Sequence, residues 1–567
     1  MERILLVEPN YKNKYPPIGL MKISTYYKNK GDLVQLHKGL LPQIEARTFD
    51  KVLITTLFTF DFVMCIQTIR YYIAIVGIEN VYVGGIAASI MPEYFLKEIP
   101  ALNIITGQLI SSKALGYSDD VNIDILELDY DILWDISYDY PMSDSYFIYT
   151  SRGCPRKCGF CAVKTLEPDF YDCNNIEDQI INVDNRFGIK KMLLIMDNNI
   201  LYSERFNNSV DIIKSLGFGT NNNKIKKNNK MKYYLFSLFN RINIGKKYDN
   251  LFNRIKKEYM SLVFSRISKK DSPILINIIE KIKTNDDTDT IAYIYDNYDF
   301  IVNFFERYNY HTIKRYVDFN QGLDARLFTD INANKLGELA VNPCRIAFDD
   351  LETKNDYFRA MELCVENGVR WFSNYLLYNF KETPDDLWTR MYLNIQFCKQ
   401  HDHITLFSFP MKYAAIDQTD RSFVGKYWNK KYLRAMNVIL NVTSGIVAKE
   451  EDFFLRAFGN NTTEFREILT MPDEFIRHRE LFENIGLTQA WKFKYAKLSP
   501  QEKEVLIDII EKMVEDPDII HREYSQNINE ILPYYSITKR NVTDNALYYI
   551  DLVSVAIQNS PVSGIIL

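Results

Sequence analysis

Histidine and cysteine are scarce in this chain, with six and eight in 567 residues. No histidine lies between His37 and His311. So few, scattered cysteines do not make a disulfide scaffold, and they point to a reducing, cytoplasmic setting. A strong net charge is also missing. Lys and Arg number 68 against 73 Asp and Glu, a net of -5, so the whole chain is neither polycation nor polyanion. The opening "MERILLVEPN" has only four apolar residues after Arg3, too few for a secretory core. The most apolar window, 57–78, contains Asp61, Gln67 and Arg70, which argues against a membrane span. No repeat of fixed period is present. Aromatic residues, in contrast, are plentiful (39 Tyr and 35 Phe), and 47% of residues are apolar, enough for a large core. The length suggests about three or four domains.

Residues 1–115 alternate apolar runs with helical stretches. "RILLVEP" at 3–9 reads as a buried strand by its continuous apolar character. In "IGLMKISTYYKNKG", Ile18, Met21, Ile23 and Tyr26 follow helical spacing, and Gly31 is placed to end the helix. "DLVQLHKG", "KVLITTLFT" and "NVYVGG" read as further strands. This rhythm predicts an α/β domain with an open parallel sheet, flavodoxin-like. Residues 116–145 are acidic and irregular and read as a linker.

From 146 the rhythm resumes, with strands expected at 146–153, 191–199, 315–322, 344–350, 370–379 and 403–413. Six such units over 146–425 predict a partial (β/α)6 barrel with its chemistry at the C-terminal strand ends. Those ends carry Asp197 and Asn198, Asn320 and Gln321, Asp349 and Asp350, and Tyr378 and Asn379. Asp and Asn also favour ordinary turns and helix caps, so each pair has a structural reading beside the functional one. Residues 426–567 read as a helical region.

More than a hundred residues separate the second and third barrel strands, so 218–312 reads as an insertion. Between Phe218 and Lys270 it holds fourteen Lys and Arg against Asp249 and Glu258, a net +12. Tyr233, Tyr234, Phe236, Phe239, Tyr248, Phe252, Tyr259 and Phe264 are interleaved with them. Clustered cations with exposed aromatics suit nucleic acid. The same aromatics alternate with Leu and Ile as the core face of amphipathic helices, and an anionic protein partner would also match the charge.

The densest chemistry is "SRGCPRKCGFC", residues 151–161, with Cys154, Cys158 and Cys161 inside eight positions. Thiolates bind zinc and iron–sulfur clusters. Structural zinc takes four protein ligands, and the nearest spare cysteine is Cys173. A zinc knuckle completed by Cys173, a set of buried thiols, and a cluster with one iron left open are the three readings of the trio. Gly153 and Gly159 allow backbone close to a bulky cluster.

"CPRKCGFC" resembles the Cys-x3-Cys-x2-Cys signature of the radical SAM superfamily, including the aromatic residue before the last cysteine. The resemblance implies a 4Fe–4S cluster on Cys154, Cys158 and Cys161, with S-adenosylmethionine chelated at the open iron and Phe160 against the adenine. Reductive cleavage of the sulfonium C–S bond would yield a 5′-deoxyadenosyl radical that abstracts hydrogen from a substrate. An electron donor such as flavodoxin or ferredoxin is implied as partner. Many members carry a Gly-Gly-Glu stretch after the second strand. Here "MDNN" stands there, so Asp197 and Asn198 would supply the contact to the SAM amino group. Asn320, Gln321 and Asp349 are further cofactor-binding candidates by position.

An open α/β domain ahead of such a barrel resembles the cobalamin-binding subgroup, which includes methyltransferases and ring-rearranging enzymes. Its Asp-x-His-x-x-Gly loop is absent: around His37 the chain has Gln35 in place of Asp and Gly39 one place early. The expected function is that of a radical SAM enzyme. The alternatives are a cobalamin-dependent radical methyltransferase and a non-catalytic, metal-stabilised nucleic-acid-binding module.

Overall fold

The structure is a computed structural model describing residues 1–173, 176–226, 230–266, 273–284, 287–308, 312–513 and 515–544. Two compact units divide the chain. The first comprises Met1–Arg345, Ala360–Val369 and Ala414–Ser422, and the second Ile346–Arg359, Arg370–Tyr413 and Phe423–Leu567. Parallel sheets with many helices make this an α/β protein.

The first unit opens with β1 (Arg3–Glu8), β2 (Leu33–Lys38), β3 (Lys51–Thr55), β4 (Val81–Gly84) and β5 (Asn103–Ile104). All pair in parallel, in the order β2-β1-β3-β4-β5. This is the doubly wound order of flavodoxin-like sheets. Ile4, Leu5, Leu6 and Val7 are all fully buried, as a strand covered on both faces requires. The helix Ile18–Asn29 stops where Gly31 takes φ +85°. The amides of Gly31 and Asp32 then bond back to the carbonyls of Lys28 and Tyr27, satisfying the free end of the helix. The helix Phe62–Val76 buries Phe62, Cys65, Ile66, Ile69 and Tyr72 in the core of this sheet. Among the described residues, its stretch Thr59–Val76 is the one segment long and apolar enough to cross a membrane.

Residues 116–145 hold two short 3-10 turns, Ile123–Ile125 and Tyr130–Trp134. Their apolar side chains are buried, among them Ile123, Leu128, Tyr130, Ile132, Leu133 and Ile136. The acids interleaved with them meet cations brought from both sides in sequence. Lys28 sits 2.7 Å from Asp129 and 2.8 Å from Asp131, and Arg241 sits 3.0 Å from Asp131 and 2.6 Å from Asp135.

The insertion begins and ends on an antiparallel pair of strands, β10 (Lys224–Lys226) and β11 (Thr312–Lys314). Helices Lys230–Asn243, Asp249–Arg266, Pro273–Thr284, Asp287–Asp296 and Tyr298–Tyr308 lie between them. They share a core that includes Leu235, Leu251, Phe252, Tyr259, Ile278 and Phe305. Phe252 and Tyr259 thus serve packing, whereas Phe236 is 70% exposed. The cations divide in the same way. Arg241 and Lys246 are buried in ion pairs with Asp131 and Asp135. Lys247 pairs with Glu45, Arg254 with Asp139 and Lys256 with Asp287. Lys224, Lys226, Lys232 and Lys257 are exposed, and Lys227, Lys269 and Lys270 lie outside the described residues.

Each of the six stretches read as barrel strands contains a strand. In the first unit β6 (Ser145–Ile148), β9 (Met192–Ile195) and β12 (Tyr316–Phe319) form a parallel sheet in the order β12-β9-β6, and β13 (Cys344–Arg345) follows. Two short strands lie between β6 and β9: β7 (Ser151–Arg152) and β8 (Tyr171–Asp172). The second unit holds β14 (Trp371–Tyr378) and β15 (Thr405–Lys412), parallel over their full eight residues. The helix between them starts at Pro384 behind a capping box of Thr383 and Asp386. From Lys430 to Asp544 the elements are helices.

Candidate functional site

The cysteine loop is pinned at both ends. β7 and β8 pair antiparallel, Ser151 opposite Asp172 and Arg152 opposite Tyr171, so the loop leaves and returns at one place. Cys154, Cys158 and Cys161 all lie between these two strands. At its exit Gly153 has φ +75°, and a Cβ there would come 2.1 Å from the carbonyl oxygen of Asp169. Only glycine fits. The Gly153 amide donates to Glu167 Oε2 at 2.8 Å, and Asn198 Nδ2 donates to the same oxygen at 2.7 Å. Arg152, 5% exposed, holds Glu167 at 3.2 Å and Asp124 at 3.0 Å and stacks on the Tyr149 ring.

Asp197 ties the end of β9 to the end of β6. It is 3% exposed and accepts from the Thr150 amide (2.7 Å), the Thr150 hydroxyl (2.5 Å) and the Ser151 hydroxyl (2.7 Å). Burial pushes its carboxyl up to about 6 from 3.8, against these hydrogen bonds. The folded state therefore holds this proton more tightly than the unfolded chain does. The resulting contribution to stability is present below about pH 4 and is lost as pH rises through about 6. The Asp197→Asn variant should lack this loss, which is on the order of 2–3 kcal/mol. Urea unfolding midpoints of both proteins across that range measure it. A wild-type–variant difference that stays constant with pH would show that Asp197 does not titrate this way.

Asn199, the last residue of "MDNN", is 3% exposed. Its Nδ2 points to Cys154 Sγ at 3.6 Å and to Asp324 Oδ2 at 3.5 Å, and its Oδ1 has no hydrogen-bond partner. The Arg156 amide also reaches Cys154 Sγ, at 3.5 Å. Asp324 in turn holds the Arg156 side chain at 2.5 Å and that of Arg326 at 2.7 Å. Burial alone would raise the Asp324 carboxyl, but the two guanidinium groups keep it below the usual range. Two N–H donors at one sulfur are the surroundings that tune a metal-bound thiolate.

The trio fits a cluster by the chemistry of its donors: all three cysteines are outside any disulfide, half-buried and on one loop. Among the described residues no three His, Cys, Asp or Glu side chains are gathered as a metal-holding group. Cys173 lies beyond β8, its amide bonded to the Thr150 carbonyl at 2.7 Å. Burial, with the nearby Asp197 carboxylate, pushes its thiol up to about 11, which disfavours the thiolate.

The other sequence-derived positions are distributed as follows. Phe160 stands half-buried in the cysteine loop. Asn320 follows β12, with its amide on the Ile195 carbonyl at 3.1 Å and its Oδ1 accepting from Tyr15 at 2.8 Å. Gln321 beside it is exposed. Asp349 belongs to the second unit, half-buried among the carboxylates whose field acts on Arg390. Asp197 and Asn198 thus have partners within the chain, while Asn199 has the unmatched oxygen. Asn199, Glu167 and Asp324 did not stand out in the sequence. Asn199 was visible only as part of a strand-end Asn pair, and Glu167 and Asp324 match no motif.

A histidine-ligated cobalamin does not fit the N-terminal sheet. His37 lies within β2 opposite Val7, and burial lowers its imidazole below the usual value. At the C-terminal ends of β1 and β2 Glu8 pairs with Lys38 at 2.6 Å and accepts from Tyr140. The Lys38 ammonium also lies over the rings of Tyr11, Tyr138 and Tyr140. Titration with hydroxocobalamin should give the same spectra for wild type and His37→Ala. A histidine-ligated spectrum that is lost in the variant would overturn this.

No protein-family model and no curated protein matches the chain. Among solved structures it is similar to the radical S-adenosylmethionine methyltransferase TsrM from Kitasatospora setae with cobalamin and a 4Fe–4S cluster bound. The TM-score is 0.39 at 12% identity, covering 72% of this chain and 71% of that one.

Proposed function

We propose that the protein is a radical SAM enzyme whose cluster is held by Cys154, Cys158 and Cys161. The single observation that carries this reading is the Cys-x3-Cys-x2-Cys loop, pinned by β7 and β8 directly after the first strand of a parallel sheet. Such strand ends are where α/β enzymes place their chemistry. The reading includes a partial barrel of β6, β9, β12, β13, β14 and β15. When bound, a 4Fe–4S cluster would supply the electron that breaks the sulfonium C–S bond of S-adenosylmethionine.

The chain's own residues do the positioning. Gly153 and Glu167 set where the loop leaves the strand, and Asp197 locks that strand end to its neighbour. Asn199 and the Arg156 amide donate to Cys154 Sγ, and Asp324 holds Arg156 in place. The unmatched Asn199 Oδ1 is an acceptor suited to an ammonium or hydroxyl of a bound ligand. The alternative, a cobalamin-dependent radical methyltransferase, draws on the β2-β1-β3-β4-β5 order of the N-terminal sheet.

Anaerobic reconstitution followed by mass spectrometry of the SAM-derived products tests both. Under reduction, 5′-deoxyadenosine is expected. Accumulation of S-adenosylhomocysteine would shift the assignment to methyl transfer. A zinc protein that leaves SAM intact would remove the enzyme reading.

A further inference from the structure

The C-terminal helices form two open cavities remote in sequence from the cysteine loop. The smaller, about 200 Å³, is lined by Arg456, Arg479 and Lys492 together with Glu464, Glu483 and Thr488. The larger, about 390 Å³, is mainly apolar, with Ile439, Val442, Phe453, Ile476 and Leu481 among its lining residues. Arg456 and Arg479 line both, so the polar and the apolar cavity adjoin at these two residues.

Among the described residues, the polar cavity has donor capacity without a full partner: the Thr488 hydroxyl and the Arg479 guanidinium. Lys492 is matched by Glu464 at 3.1 Å, and Arg456 by Glu483 at 3.5 Å. Among the described residues Arg479, with 16% of its side chain exposed, has one ion pair, to the same Glu483 at 4.0 Å, and feels Glu464 from farther away. Burial lowers its guanidinium below the usual value, as expected of a poorly matched charge. Thr488 is 4% exposed and its hydroxyl has no hydrogen-bond partner. Buried hydroxyls in native proteins are ordinarily bonded, so an unmatched one in a cavity wall marks a place for a ligand atom. Thr488 is also the second residue of the helix Leu487–Ala496, whose N-cap, Gly486, supplies no side-chain acceptor. The first-turn amides and the positive end of that helix dipole add to the attraction for an anion. In the apolar chamber Val442 and Phe453 remain 56% and 45% exposed, an unusual state for large apolar side chains beside a cavity.

We propose that the two chambers together bind one amphipathic anion. Its carboxylate or phosphate head lies against Arg479, Thr488 and the amino end of the helix Leu487–Ala496, and its apolar chain fills the larger chamber. A small inorganic anion would leave the apolar chamber empty. A neutral apolar molecule would leave Arg479 and Thr488 unmatched.

Isothermal titration calorimetry of the full-length protein tests this with decanoate, decyl phosphate, 1-decanol and inorganic phosphate, each below its micelle concentration. Decanoate or decyl phosphate should saturate one site, and the tighter of the two identifies the head group. Decanol and phosphate should bind at least about tenfold more weakly. Arg479→Met and Thr488→Val should each weaken the preferred anion at least about tenfold and leave decanol unchanged. Should Arg479→Met fail to fold, Thr488→Val decides alone. Decanol binding as tightly as the anions, or anion binding that is equal in wild type and Thr488→Val, overturns the proposal.

Discussion

Replacing Cys154, Cys158 and Cys161 together with alanine should remove all iron and acid-labile sulfide from anaerobically reconstituted protein, whereas Cys173→Ala should keep its full complement. The three thiols share one loop closed by β7 and β8, and that loop is held at Gly153 by Glu167. Cys173 lies outside it, and its raised thiol makes a poor thiolate donor. Iron and sulfide analysis of wild type and these two variants, with their visible spectra, provides the measurement. Equal loss in Cys173→Ala would mean a four-cysteine site and would remove the open iron that SAM binding requires. A separate variant, Asn199→Ala, keeps all the ligands but deletes one donor to Cys154 Sγ. It should retain iron and lower the cluster's reduction potential, because a hydrogen bond to a ligating sulfur stabilises the reduced state.

The second large effect is on stability. Arg241→Ala should cost about 3–5 kcal/mol, the range seen when one partner of a buried ion pair is removed. Arg241 is 1% exposed. Its guanidinium reaches Asp135 at 2.6 Å, Asp131 at 3.0 Å, the Asp131 carbonyl at 2.7 Å and Ser237 at 3.1 Å. Burial alone would raise the Asp131 carboxyl, but Lys28, Arg241 and Lys246 together hold it well below the usual range. Without Arg241, Asp131 and Asp135 are left with Lys28 and Lys246 alone to offset the burial of their carboxylates. Urea unfolding followed by circular dichroism reads the change. Lys512→Ala serves as control, since its pair with Asp508 is more than half exposed on both sides and should leave the midpoint unchanged. A midpoint for Arg241→Ala equal to that of the control would show that the network does not hold the insertion in place.

Local chemistry made a large part of the fold legible. Ile4 to Val7 form a continuous apolar run, and such a run pairs as a buried strand wherever it lands in a parallel sheet. Gly31 sits where only positive φ ends the helix with its carbonyls satisfied. The spacing of Cys154, Cys158 and Cys161 survives as one loop because the strand before it and the ladder after it are both local. Periodicity and turn chemistry act over a few residues, so a sequence displays them directly.

What pairs across long separations was not displayed. The acids of 116–145 resemble a solvated linker and the cations of 218–270 a free basic surface, yet Asp131 and the buried Arg241, 110 residues apart, form one ion pair. Asp197 and Asn198 stood out as ligand contacts, but tertiary packing gave Asp197 to Thr150 and Ser151 and Asn198 to Glu167, leaving the open acceptor on Asn199. The sequence by itself determined the alternation of strand and helix and the three-thiol loop. Only the tertiary structure decided which charges are neutralised inside and which buried polar atoms stay unmatched. The reason is physical: burial removes water from both members of a pair at once, and no single stretch of chain carries the identity of its partner.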